Sequence, residues 1–278
     1  NLNLQSDYIT VEGVKTYYID TKNTSDPAVL LIHGFGGSVY TWRQNIEAIK
    51  FAGYRVLALD LKGFGLSDKS FSQDYSHSSQ SKFIYHFLQQ VGVDKVNIVG
   101  HSMGGNIVTT FAMNYPDSVL SLTIIDGAIV KESSFGIGNL LNVKAVRNIF
   151  NFAIQNIMTK ERFKDFLSSA YFNTEVMTET VVENYYLPLQ TPNWADALAG
   201  ISRDGSLNAL PKDLSTLNMP VLIVWGENDP WIEVSNAYTL NKEITDSKLE
   251  IIKNAGHLPM EEQPAQFNQK IIEFLDII

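Results

Sequence analysis

Short runs of Val, Ile and Leu recur along the chain, and longer segments with helical periodicity separate them. This alternation constrains the fold more than any other feature, because strands connected through helices pair in parallel and bury both faces of their sheet. A hairpin is expected at the start, where residues 8–11 and 15–19 flank a Glu-Gly turn. With the later runs it predicts an α/β fold with a mostly parallel eight-stranded sheet, the other strands being 28–33, 55–60, 95–100, 120–126, 220–225 and 248–253.

The alternation stops between residues 128 and 218, where helical stretches rich in aromatic residues take the place of strands. A segment of this length between two strands of one sheet is too long for a plain loop. The sequence therefore predicts a helical cap at 128–218, inserted into a core domain formed by residues 1–127 and 219–278.

Composition excludes several classes of function. The formal net charge is −9 and basic clusters are missing, so nucleic acid and anionic membrane surfaces are not expected partners. No apolar stretch approaches the length of a membrane span, and a cytoplasmic location is expected. The chain begins without Met, however, so a processed leader before Asp7 would leave the compartment open. The absence of Cys excludes disulfides and thiolate catalysis.

The motif GHSMG at residues 100–104 follows a β-branched run and precedes a helical segment. A sharp turn between strand and helix lifts the Ser102 hydroxyl above the sheet, and glycines on either side allow the two elements to approach closely. These observations predict Ser102 as a nucleophile. The alternative reading is a Gly-rich turn with an inert serine.

A serine hydroxyl needs a base and a group that holds the base. His257 and Asp229 each lie in a loop just past a late strand, at the same carboxyl edge of the sheet as Ser102. The chain order Ser, Asp, His is the one expected of this architecture. Glu227 and Asp126 are competing candidates for the acid.

Acyl transfer also needs donors for the oxygen that becomes negative. Met103, at the start of a helix, offers one backbone N–H, and Phe35 in the loop HGFGG (33–37) offers the second. His33 is predicted to brace this loop through hydrogen bonds.

The chain resembles the α/β-hydrolase superfamily over nearly its whole length, and within it the capped esterases and lipase-like hydrolases. The resemblance rests on HGFGG (33–37), DLKGFGLSDK (60–69), GHSMGG (100–105), VWGENDPW (224–231) and NAGHLP (254–259). It implies a Ser102–Asp229–His257 triad, an acyl-enzyme intermediate, and neither a cofactor nor a metal. The loop departs from lipases that carry HGGG, since Phe35 follows His33-Gly34.

Relatives with the same fold offer alternatives. Carbon-carbon bond hydrolases share the serine triad but tend to have an aromatic residue after the histidine, where this chain has Leu258. Perhydrolases and hydrolase-fold ligand receptors with slow turnover also remain open. Dinucleotide binding is disfavoured, because Val39 occupies the position of the third glycine in G-x-G-x-x-G.

The predicted partner is a small or medium uncharged ester. Trp231, Leu258 and Met260 are expected to form the floor of an apolar cleft, and Phe135 and Trp194 of the cap are expected to close it. The sequence does not indicate an oligomeric state.

Overall fold

The computed structural model describes residues 6–24, 26–127, 138–205 and 213–278. One eight-stranded sheet forms its centre, in the order β1-β2-β4-β3-β5-β6-β7-β8. Strand β2 is antiparallel to β1 and β4, and the other neighbours are parallel. The strands are β1 (Ser6–Val11), β2 (Val14–Asp20), β3 (Ala28–Ile32), β4 (Arg55–Leu59), β5 (Val96–His101), β6 (Val119–Ile125), β7 (Val221–Gly226) and β8 (Lys248–Ile252).

Helices cover both faces of the sheet. Those of the described residues are α1 (Ile46–Phe51), α2 (His77–Gln90), α3 (Met103–Asn114), α4 (Lys144–Ile157), α5 (Lys160–Ser168), α6 (Glu179–Tyr186), α7 (Trp194–Asp204), α8 (Ser235–Glu243), α9 (Pro259–Glu262) and α10 (Pro264–Leu275). None of the helices in these ranges has the length and apolarity that a membrane crossing requires.

The central strands are apolar on both sides because each side packs against helices. In β3, Leu30 and Ile32 belong to one hydrophobic cluster, whereas Val29 and Leu31 belong to the cluster on the opposite face. This period of two explains the continuous apolar runs in the sequence. The predicted fold class is confirmed, and the predicted strand bounds differ from the observed ones by at most two residues.

Helices α4 to α7 follow one another between β6 and β7, in the segment predicted to be helical. No strand occurs in the described residues 138–205. The division of the chain into a core domain and a cap, with boundaries at 127/128 and 218/219, stays a prediction.

Candidate active site

Ser102 lies in the turn between β5 and α3, with a backbone φ of 52° and ψ of −121°. A side chain at Gly100 would place its Cβ 2.4 Å from the Gly104 carbonyl oxygen, and one at Gly104 would place it 2.4 Å from the His33 oxygen. Only glycine fits at either position, so strand, turn and helix come as close together as the motif predicts. The tight turn presents Ser102 at the carboxyl edge of the sheet, in the wall of a cavity.

Two hydrogen bonds connect Ser102, His257 and Asp229. The distance from Ser102 Oγ to His257 Nε2 is 2.9 Å, and the distance from His257 Nδ1 to Asp229 Oδ2 is 2.8 Å. The His257 side chain is buried, so water does not compete strongly for either bond. The structure therefore brings together the three residues that the sequence singles out.

The Asp229 carboxylate is suited to carry a negative charge. Its Oδ1 accepts the backbone N–H groups of Trp231 and Ile232, at 2.8 and 3.0 Å. Burial opposes ionisation, but the hydrogen bond and the charge of His257 outweigh it and hold the pKa of Asp229 below its ordinary value. An ionised Asp229 fixes the proton on His257 Nδ1, which leaves the Nε2 lone pair facing Ser102.

The other two candidate acids do not contact His257 in this way. Glu227 is exposed. Asp126 is fully buried at the end of β6, and its Oδ1 accepts the Gly226 N–H at 2.9 Å. Burial, together with the nearby charge of Asp229, raises the pKa of Asp126 well above its ordinary value.

Asp126, Asp229 and His257 form the one group of three potential metal ligands found among the described residues, with ligand atoms within 4.8 Å of one another. The His257 and Asp229 atoms already share a hydrogen bond, so a metal ion here would compete with the contact that orients the imidazole.

The two predicted oxyanion donors lie on segments that flank Ser102. A Cβ at Gly34 would be 3.0 Å from the Ser102 Cβ, so the loop that carries Phe35 lies directly against the serine. Among the hydrogen bonds of the described residues, none uses the backbone N–H of Phe35 or of Met103. Both groups are available, and their role stays a prediction.

His33 braces the Phe35 loop, as the sequence predicts. Its ring contacts the Gly34 carbonyl through Nδ1 at 2.7 Å and accepts the Leu61 N–H through Nε2 at 3.2 Å. Complete burial lowers the pKa of His33 to about 4, so the ring is neutral at pH 7.

A cavity of about 30 Å³ borders Ser102 and His257, and a second cavity of about 170 Å³ adjoins it. Trp231 and Leu258 line the first cavity, and Trp194 lines the second. The residues shared by both walls are Phe35, Gly36, Gly37, Phe163, Phe166 and Tyr185.

The other two predicted pocket residues are Met260 and Phe135. Met260 is completely buried in the core rather than in the cavity wall. The chain turns into α9 directly after Leu258, which packs this segment against the 3-10 turn Val39–Trp42. Phe135 lies outside the described residues.

A buried clamp at Glu262 is absent from the sequence predictions. Its Oε1 accepts the Gly256 N–H at 2.7 Å, and its Oε2 accepts the N–H groups of Phe172 and Asn173 at 2.9 and 2.8 Å. The loop that carries His257 is thereby attached to the segment after α5. Spacing gives no signal for this clamp, because its partners are backbone N–H groups, which are present at almost every position, and two of the three lie about 90 residues away in sequence.

The aromatic residues Phe163, Phe166 and Tyr185 are also missing from the predicted pocket. In the sequence, these residues are marked only by the helical spacing of large apolar side chains in α5 and α6. Residues that pack helices together have the same spacing, so it does not identify a cavity wall.

Comparison with known proteins is consistent with this geometry. A family model described as the alpha/beta hydrolase fold matches residues 27–264. The chain is 29% identical to a 2-hydroxy-6-oxononadienedioate/2-hydroxy-6-oxononatrienedioate hydrolase of Klebsiella pneumoniae subsp. pneumoniae, over 95% of this chain and 93% of the relative.

Two solved structures are similar over nearly the whole chain. A meta-cleavage product hydrolase from Pseudomonas fluorescens IP01 has a TM-score of 0.81 and 26% identity, covering 99% of each chain. A bacterial membrane phospholipase A has a TM-score of 0.80 and 26% identity, covering 99% of this chain and 86% of the other.

Proposed function

The chain belongs to the α/β-hydrolase family, and we propose that it is a serine hydrolase of carboxylic esters. The observation that carries the proposal is the unbroken hydrogen-bonded series from Ser102 Oγ through His257 to Asp229. A serine that contacts a neutral, oriented imidazole has the arrangement needed for nucleophilic attack.

The proposed reaction has two halves. His257 Nε2 takes the Ser102 proton as Oγ attacks the ester carbonyl, and the N–H groups of Phe35 and Met103 stabilise the resulting oxyanion. His257 then protonates the leaving alcohol, and the acyl group stays on Ser102. Water attacks this acyl-enzyme with His257 again acting as base, and the acid is released. Asp229 remains ionised throughout.

The substrate class is inferred from the cavity walls, which are mainly aromatic and aliphatic. Lys69 is the only Lys or Arg among the described residues that line the two cavities, and its ammonium donates to the carbonyl oxygens of Gly65 and Ser67 at 2.6 and 3.1 Å. A buried carboxylate would lose its hydration without gaining an unengaged cation. We therefore propose uncharged esters as substrates.

The size of the substrate's acyl group is inferred from the second cavity. Its volume of about 170 Å³ is close to that of an engineered protein cavity, about 150 Å³, that binds benzene. A short or medium acyl chain fits such a space by apolar burial.

Carbon-carbon bond hydrolysis is the second candidate, because the Klebsiella relative and the Pseudomonas structure are named for that type of substrate. Ser102, His257 and Asp229 would also be the catalytic residues of carbon-carbon bond hydrolysis. The name dienedioate denotes two carboxylates, however, and the cavities described above offer them little charge compensation.

The deciding experiment compares p-nitrophenyl butyrate with a 2-hydroxy-6-oxo dienoate ring-cleavage product under the same conditions. Ester hydrolysis should have the higher kcat/KM, by about tenfold or more, and Ser102→Ala should abolish both activities. A higher kcat/KM for the dienoate would replace the ester proposal with carbon-carbon hydrolysis.

A further inference from the structure

Asp126 has no part in the proposed reaction, although it lies next to Asp229 and His257. It ends β6 with a backbone φ of 44°, a left-handed conformation that Asp and Asn tolerate better than most side chains. Its side chain is completely buried. The fold therefore holds a carboxyl group next to Asp229 at the expense of an uncommon backbone conformation.

The two oxygens of Asp126 have different surroundings. Oδ1 accepts the Gly226 N–H, whereas Oδ2 is buried and has no hydrogen-bond partner in the part of the chain that the structure describes. Within the described residues, no Lys or Arg ion pair offsets a negative charge on Asp126.

The charged groups that face Asp126 are the carboxylates of Asp229 and Glu262. A carboxylate oxygen of Asp126, one of Asp229 and a ring nitrogen of His257 lie within 4.8 Å of one another. Two buried carboxylates so close together hold one proton between them. Asp229 keeps the charge because it has three donors, from His257, Trp231 and Ile232.

We propose that Asp126 is a positioning residue, a protonated carboxylic acid whose Oδ2–H is directed at Asp229 and keeps that carboxylate turned towards His257. The inference rests on the proposed triad. Burial and the Asp229 charge, which raise the pKa of Asp126 well above its ordinary value, agree with it. The acid has a ready acceptor, since Asp229 Oδ2 receives only the His257 proton in the described structure.

Two substitutions of Asp126 test whether its side chain acts as a neutral hydrogen-bond donor or as a negative charge. Asp126→Asn keeps an acceptor for Gly226 and a neutral donor for Asp229. Asp126→Gly removes the side chain, and glycine suits the positive φ. Thr123→Val is the matched control, because Thr123 is also fully buried on β6 and its Oγ1 has no hydrogen-bond partner among the described residues.

The readout is the rate at which a fluorophosphonate labels Ser102 as a function of pH. Asp126→Asn should keep about a third or more of the wild-type rate with an unchanged pH midpoint, and Asp126→Gly should be slower by about tenfold or more. Thr123→Val should match the wild type. Equal losses in the Asn and Gly variants, a lower midpoint in Asp126→Asn, or full activity of Asp126→Gly would each overturn the proposal.

An infrared measurement separates this inference from the proposed function. The wild type minus Asp126→Asn difference spectrum at neutral pH should contain a carboxylic-acid C=O band, whether or not Ser102 reacts. A carboxylate band in its place would show that Asp126 is ionised and would contradict the inference. A wild type that is not labelled at Ser102 would contradict the triad and leave the band to decide the protonation of Asp126.

Discussion

The Asp229 side chain contacts His257 with one oxygen and two backbone N–H groups with the other. In Asp229→Asn the side-chain amide is neutral. It is therefore a poorer acceptor for the Nδ1 proton than the carboxylate, and it stabilises the imidazolium less well. We expect kcat to fall by about 10³- to 10⁴-fold while the melting temperature changes little. Steady-state kinetics and thermal unfolding of the purified variant measure both.

Glu227→Gln is the control for this prediction, since Glu227 is exposed and lies two residues before Asp229 in the same loop. It should behave as the wild type. If Asp126→Asn lowers kcat more than Asp229→Asn does, the assignment of the acid is wrong.

The pH dependence of activity follows from the need for a neutral His257. Activity should rise with pH through one ionisation and persist into mild alkali. Burial lowers the pKa of His33 to about 4 and that of His101 to about 3, so both rings are already neutral above about pH 5 and cannot produce this step. A kcat/KM profile measures it, and a chelator should leave it unchanged. A requirement for added metal would contradict the mechanism.

Ser102 and His257 could be predicted because a strand, a tight turn and a loop at the sheet edge determine where they lie. The choice among Asp126, Glu227 and Asp229 depends on side-chain direction, which strand position alone does not determine. Met260 shows the same limit: α9 starts one residue after Leu258, and Met260 lies in the core and outside the walls of the two cavities.

Glu262 attaches the His257 loop to the segment after α5 through three backbone donors. Glu262→Ala leaves these donors without their acceptor in a mostly buried site. We expect the free energy of unfolding to fall by about 3 kcal/mol, and kcat to fall because the His257 loop is less well positioned. Chemical denaturation and kinetics would measure the two effects.

Glu273→Ala is a suitable control, because Glu273 is an exposed residue on α10. It should change neither quantity appreciably. A Glu262→Ala variant as stable as this control would show that the clamp contributes nothing.

The strands were predictable to within two residues because β3 to β7 are buried on both faces and bounded by polar turns. The helices between β6 and β7 were predictable only as a helical segment. Their apolar residues serve both the packing of the helices and the cavity wall, so spacing cannot separate the two uses.

The carboxyl edge of the sheet and helices α5 to α7 together line the two cavities. We expect kcat/KM to be highest for butyrate or octanoate esters, because the larger cavity accepts a short or medium chain. Trp194→Ala enlarges that cavity and should shift the optimum to longer chains. A series of p-nitrophenyl esters from acetate to palmitate measures this, with exposed Phe51→Ala as the control. A wild-type optimum at palmitate would indicate an open groove.

We propose Ser102 as the nucleophile and His257 as the base that activates it. Mass spectrometry after treatment with a fluorophosphonate probe tests this assignment most directly. We expect a single label on Ser102, no label on Ser102→Ala, and much slower labelling of His257→Ala. Labelling of Ser102→Ala at the wild-type rate, or modification of the wild type at another residue, would contradict it.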